Sequence, residues 1–197
     1  MEFLTFRNAL RLHMDSIKLF KTHSYPSSFV LSVLDLEELG KAHLLGDFVF
    51  YWGRDTRVKP EEEKKWFHLI YRHTVKQGAF HRNTVYELPK PFERQVFDGS
   101  LERLKQEAVY VGFENRENVK GRLRTPFSVT RKKAEYQITM VNDHLLAFCL
   151  GVPKGVYGWD NPMVESQLNA KLFNKLTGVW SRRRPKTDKL FKKLMSL

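Results

Sequence analysis

The stretch from about Ser27 to Trp52 constrains this chain more than any other part of it. Phe29, Val30, Leu31, Val33, Leu34, Leu36, Leu39, Leu44, Leu45, Phe48, Val49 and Phe50 make it apolar nearly all the way round. A helix without a polar stripe has to be covered by other elements on every side. The chain therefore needs a bundle with this segment at its centre, and 197 residues are enough to bury one sizeable core.

The neighbouring segments supply the cover. From Glu2 to about Thr22, Phe3, Phe6, Leu10, Met14 and Ile17 recur at spacings of three and four, the stripe of an amphipathic helix. Ser24 to Ser28 reads as a turn, with Pro26 placed to begin the central helix. Gly53 and the polar stretch to Lys59 close that helix. Pro60 and Glu61 to Glu63 then open a third one, which carries Trp66, Leu69 and Ile70 inward to about Gln77, where Gly78 ends it.

Between Gly78 and Ser100 two prolines and the lack of a sustained period predict a surface excursion. Leu101 to Gln106 reads as a helical turn, Ala108 to Phe113 as one short strand, and Glu114 to Pro126 as a loop. A fourth helix is predicted over Ser128 to Leu150, capped by Ser128 or Thr130 and stopped by Gly151-Val152-Pro153. A fifth follows Asn161-Pro162, with Val164, Leu168, Leu172, Phe173 and Leu176 inward until Gly178. The expected fold is mainly α with a minor short β element. It comprises a single helical domain over residues 1–178, in which 78–127 form an irregular insertion, and a basic C-terminal tail over 179–197.

Thirty-four Lys and Arg against 22 Asp and Glu give a formal charge of +12, which favours anionic partners. The basic run Arg182, Arg183, Arg184 and Lys186 is a candidate RNA-binding arm, with Trp180 and Phe191 nearby for base stacking; a solvated tail is the other reading. Apolar stretches fall well short of a membrane span, and the single cysteine, Cys149, sits in an apolar run as a buried thiol would. A cytoplasmic protein without membrane contact is expected. His23, His43, His68, His81 and His144 are dispersed and lack partner cysteines, so neither a metal nor another cofactor is expected. The absence of a glycine-rich phosphate loop and of a Gly-x-Ser-x-Gly elbow excludes nucleotide hydrolysis and serine esterase chemistry.

Two helices carry misplaced charge. On a helical projection Glu37 shares the sector of Val30, Val33, Leu44 and Phe48, where a carboxylate is costly. Lys41, one turn on, is placed to pair with it. Two readings stand: a buried ion pair that fixes packing or a dimer seam, and a functional site. Gly40, at about 1 kcal/mol less favourable than Ala in a helix interior, suggests the close approach of a helix or ligand. In the third helix His73 projects inward between Trp66, Leu69 and Ile70, with Arg72 and Lys76 along one edge. If the two helices pack together, His73 and Lys76 meet Glu37 and Lys41 in one pocket, and a histidine beside a carboxylate is a good general base near neutral pH. A hydrogen-bonded core histidine is the structural alternative.

The run Ser32-Val33-Leu34-Asp35-Leu36-Glu37-Glu38-Leu39-Gly40-Lys41-Ala42, followed by His73 and Lys76 and then by Val109-Tyr110-Val111 and Pro126, resembles the AbiV family of phage abortive infection proteins in the HEPN superfamily. The similarity spans roughly residues 5 to 150 and is most specific at Glu37-Glu38-Leu39-Gly40-Lys41. It implies a HEPN-like bundle, a two-fold homodimer and a metal-independent endoribonuclease site between helices near the two-fold seam. It also implies an anti-phage toxin that shuts down translation by acting on tRNA, rRNA or mRNA, with a phage-encoded activator protein as a further partner.

Metal-free RNA cleavage needs a base for the ribose 2′-hydroxyl, an acid for the leaving oxygen and positive charge on the phosphate. His73, Lys41, Lys76 and Arg72 are expected to divide those roles, with Glu37 orienting a cation and Glu38 beside it in the same motif. The superfamily's signature, an arginine followed after four to six residues by a histidine, is matched here by Arg7-Asn8 to His13, which makes Arg7, Asn8 and His13 the alternative site. The alternative function is a non-catalytic helical dimer that binds RNA or the translation machinery and is activated by a phage protein.

Overall fold

The computed structural model describes residues 2–51, 59–83, 88–113, 123–151 and 162–182. The helices among them are α1 (Glu2–Lys21), α2 (Tyr25–Tyr51), α3 (Pro60–Ile70), α4 (His73–Arg82), α5 (Lys90–Phe97), α6 (Ser100–Val109), α7 (Arg131–Gly151) and α8 (Pro162–Val179). As its apolar circumference requires, α2 is central and packs against α1, α4, α6 and α7. Phe29, Val33, Leu36 and Leu39 are buried in one core with Phe6, Ile17 and Phe20 of α1 and Ile138, Val141 and Leu145 of α7. Further along α2, Leu44 and Leu45 join Ile70 of α3 and Ala79 of α4 in a smaller cluster, with Trp66 and Phe67 packed against it. No helix among the described residues is long and apolar enough to cross a membrane.

The α1–α2 connection is tight because α1 ends in a Schellman turn. Ser24 N–H donates to Leu19 C=O at 2.9 Å and His23 N–H to Phe20 C=O at 3.1 Å, with His23 left-handed at φ 64°. Pro26 falls in the first turn of α2, where its missing N–H costs nothing. At the other end of the core, α8 docks through the buried Leu176, and Trp180 follows it inward. The Trp180 indole donates to Thr139 Oγ1 at 3.1 Å, and its ring meets Phe20 edge-on at 5.2 Å.

Several segments depart from the sequence expectation. Pro60 to Gln77 is two helices: Tyr71 caps α3, Arg72 is extended at φ −77° and ψ 123°, and α4 starts afresh at His73. Gly78 lies inside α4, which runs on to Arg82, and α5 buries Phe92 and Val96, so much of the expected excursion is helical. Ala108 and Val109 end α6 rather than beginning a strand. Leu101, Lys105 and Ala108 are all buried on one face of that helix, and burial decides where β propensity pointed the other way. Among the described residues, extended pairing is confined to Gly112–Phe113 against Leu123–Arg124. The N-terminal cap of α7 is Thr130, whose Oγ1 accepts from Lys133 N–H at 3.4 Å, while Ser128 ends a 3₁₀ turn over Pro126–Ser128. The α8 helix passes Gly178 to end at Val179, and Val164 and Leu168 lie outside the described side chains.

The core also contains polar ties. His13 of α1 has Nδ1 3.0 Å from Asp35 Oδ2 of α2 and Nε2 3.0 Å from Asn142 Oδ1 of α7, all three side chains fully buried. Burial pushes the Asp35 carboxyl up to about 6, against the opposing pull of His13.

Gly40 marks the crossing of α2 and α4. A Cβ built there would overlap the Lys76 carbonyl oxygen and come within 2.8 Å of its carbon and 3.1 Å of the Phe80 nitrogen. Backbone cannot yield as a side-chain end can, so the helices would have to separate. Gly40→Ala is therefore expected to cost about 3 kcal/mol in urea unfolding. Gly178→Ala, whose Cβ meets nothing within 4 Å in an exposed helical turn, is expected to add about 0.5–1 kcal/mol. Equal effects of the two changes would refute the close crossing.

Candidate functional site

Three residues before Gly40 on α2 lies Glu37, and three before Lys76 on α4 lies His73; the crossing brings both together. The Glu37 side chain is 1% exposed, and four side chains from α4 and α6 engage its two oxygens. His73 Nδ1 is 2.6 Å from Glu37 Oε2 and Lys76 Nζ is 3.4 Å from the same oxygen. On the other oxygen, Oε1, Gln77 Nε2 donates at 3.0 Å and Lys105 Nζ of α6 at 2.8 Å. Glu102, one turn before Lys105, accepts from Lys105 at 2.7 Å and from Gln77 at 3.3 Å. The carboxylate also sits at the N-terminal turn of α4, where the helix dipole favours negative charge. Burial alone would raise the Glu37 carboxyl; the donation from Lys105, His73 and Gln77 outweighs it and holds the group below its ordinary value.

At 2.6 Å from the Glu37 carboxylate, His73 Nδ1 donates to it in the tautomer that carries the ring proton there, and the Lys105 ammonium lies 3.2 Å from the same nitrogen. The His73 side chain is 49% exposed, and Nε2 has no partner among the described residues. With Nδ1 turned to a buried carboxylate, Nε2 is the ring nitrogen left for another partner. Glu37, His73 and Glu102 also form the one cluster among the described residues whose donor atoms, within 4.8 Å of one another, have metal-ligand chemistry.

The structure thus gathers Glu37, His73 and Lys76 and leaves other candidates outside. Lys41 does not pair with Glu37: its Nζ is 4.0 Å from Glu38 Oε1 and 5.6 Å from the Tyr71 ring centre, both Lys41 and Glu38 being partly exposed at the edge of α2. Glu37 is already engaged from α4 and α6. Arg72, the extended residue before α4, is exposed. The alternative set is not one site. Arg7 is exposed, Asn8 Oδ1 accepts from Arg11, and His13 is sealed between Asp35 and Asn142; six residues on a helix put Arg7 and His13 roughly 120° apart.

The basic arm is described only at its start. Trp180 is core and cannot stack on bases, and Arg182 lies 2.8 Å from Glu135 and over the Phe20 and Trp180 rings. Arg183, Arg184, Lys186 and Phe191 lie outside the described residues.

Gln77, Glu102 and Lys105 were not among the sequence candidates. Lys105 was findable by the test that picked out Glu37, since it shares a helical stripe with Leu101 and Ala108. Two histidines read as dispersed also meet: His43 Nε2 and His144 Nε2 are 3.0 Å apart although 101 residues separate them. Burial drives His43 down to about 4, and burial with the His43 charge drives His144 well below its ordinary value. Burial likewise pushes the Cys149 thiol up to about 12, leaving it unreactive.

Compared with known proteins, residues 3–147 match the family model AbiV, a HEPN model covering well over half of the chain. No curated protein and no solved structure matches it.

Glu37→Gln removes the charge that Lys76 and Lys105 face and is expected to cost about 3 kcal/mol. Glu38→Gln, at a loose and partly exposed pair, should stay within about 0.5 kcal/mol of the parent. Urea unfolding reads both, and a harmless Glu37→Gln would mean that the buried network is not formed. For the buried pair, the NMR titration of His43 is expected to show a midpoint near pH 4. A neutral imidazole is then favoured by the fold, so its contribution of up to about 3 kcal/mol is complete above pH 6.5 and lost as pH falls through 4. A midpoint at 6.5 would contradict its burial.

Proposed function

The chain belongs to the AbiV family of abortive infection proteins in the HEPN superfamily, and from that premise we propose that it is an anti-phage toxin acting as a metal-independent endoribonuclease. The observation that carries this reading is the Glu37–His73 dyad: a buried carboxylate holding the Nδ1 proton of a half-exposed histidine. His73 Nε2 takes the proton of a ribose 2′-hydroxyl, and the resulting imidazolium is stabilised by Glu37. The attacking oxygen closes on the adjacent phosphorus, the 5′ oxygen of the next nucleotide leaves, and the imidazolium returns the proton to it. The exposed Arg72 meets the phosphate charge, with Lys76 one turn along α4 behind it. Lys41, on another edge of α2, is no part of this chemistry.

In the cytoplasm such cleavage of tRNA, rRNA or mRNA shuts down translation on infection, with the protein acting as a homodimer that a phage-encoded protein activates. The +12 charge supports an RNA partner but serves a non-catalytic binder equally well.

Purified protein incubated with cellular RNA in EDTA, with and without lysate of infected cells, is expected to release discrete fragments. His73→Ala should reduce the rate at least about a hundredfold with the fold intact, and Lys41→Ala by less than about threefold. RNA that is bound yet stays whole in both arms would overturn the nuclease reading in favour of a non-catalytic dimer that binds RNA or the translation machinery.

A further inference from the structure

Lys105 is the one cation of the Glu37 pocket that no step of the cleavage chemistry uses. Its side chain is 6% exposed, and its ammonium rests against one atom from each of three residues: Glu102 Oε2 at 2.7 Å, Glu37 Oε1 at 2.8 Å and His73 Nδ1 at 3.2 Å. Those residues are the cluster whose donor atoms converge within 4.8 Å. Two carboxylates and an imidazole are a ligand set suited to a divalent transition metal such as Zn²⁺. A cation already stands there, and it is the protein's own.

We propose that Lys105 is a built-in cation filling a metal-type site, and that removing its side chain hands Glu37, Glu102 and His73 to a divalent transition metal. Charge supports this assignment. The two carboxylates face the two ammoniums of Lys76 and Lys105, so a divalent ion entering beside both would bury two surplus positive charges. A divalent ion in place of Lys105 leaves only one surplus charge. Geometry supports it too, because Leu101 and Ala108 bury the α6 face that carries Lys105 and keep its ammonium at the site. On metal entry the Nδ1 lone pair becomes the ligand, and the ring proton moves to Nε2. The wild-type pocket is accordingly closed to such ions by lysine rather than by a lack of ligands.

The test is a gain of binding in the full-length, metal-stripped protein. Lys105→Ala titrated calorimetrically with Zn²⁺ is expected to bind one ion per chain at least tenfold more tightly than the parent. With Co²⁺ it should show a visible absorption band that Lys105→Ala combined with Glu102→Gln lacks. Lys105→Met keeps the apolar stem without the charge and gives the same result should the alanine variant not fold. The proposal fails if the parent binds Zn²⁺ as tightly as the variants, or if either variant, folded by circular dichroism, takes up no metal. RNA plays no part in this readout, so an inert RNA assay would overturn the nuclease reading and leave this one standing.

Discussion

The contact on which the pocket depends is between backbones. With no Cβ on Gly40, the Lys76 carbonyl can settle against α2, and the helices close to a distance that no other residue permits. Side chains one turn back on each helix, Glu37 and His73, then lie within hydrogen-bond reach. The dyad follows from the crossing, and the extended Arg72 follows as well: α3 has to lie along Leu44 and Leu45, α4 has to lie across Gly40, and one straight helix cannot do both.

Electrostatics then balances what the crossing has brought together. Glu37 and Glu102 face Lys76 and Lys105, two carboxylates against two ammoniums, a balance that suits groups largely removed from water. His73 is the most exposed member, with 49% of its side chain reachable from outside the bundle.

The sequence yielded what depends on a single helix. Glu37 and Gly40 stood out because an all-apolar segment makes a carboxylate and a helix-interior glycine anomalous, whatever the tertiary structure. His73 and Lys76 came from the same projection and from the family resemblance, yet the projection assumed a continuous helix. Tyr71-Arg72-His73 contains neither Pro nor Gly, so nothing local announces the break. Lys105 escaped because its segment read as one turn and a strand; its stripe with Leu101 and Ala108 is visible only once the whole of α6 is taken as helix. Trp180 misled by position: its place beside a basic run suggested base stacking, whereas its partner Thr139 lies 41 residues away on α7.

The buried histidine ties bear on how the chain is made. His13 has to wait for Asn142 across 129 residues, and His43 for His144 across 101, so the first two helices leave the ribosome before the α7 partners of their buried histidines exist. Glu37, His73 and Lys105 have all been synthesised by then. A nascent chain carries every member of the pocket well before it can hold the bundle together, and the native state is reached only when synthesis has passed α7.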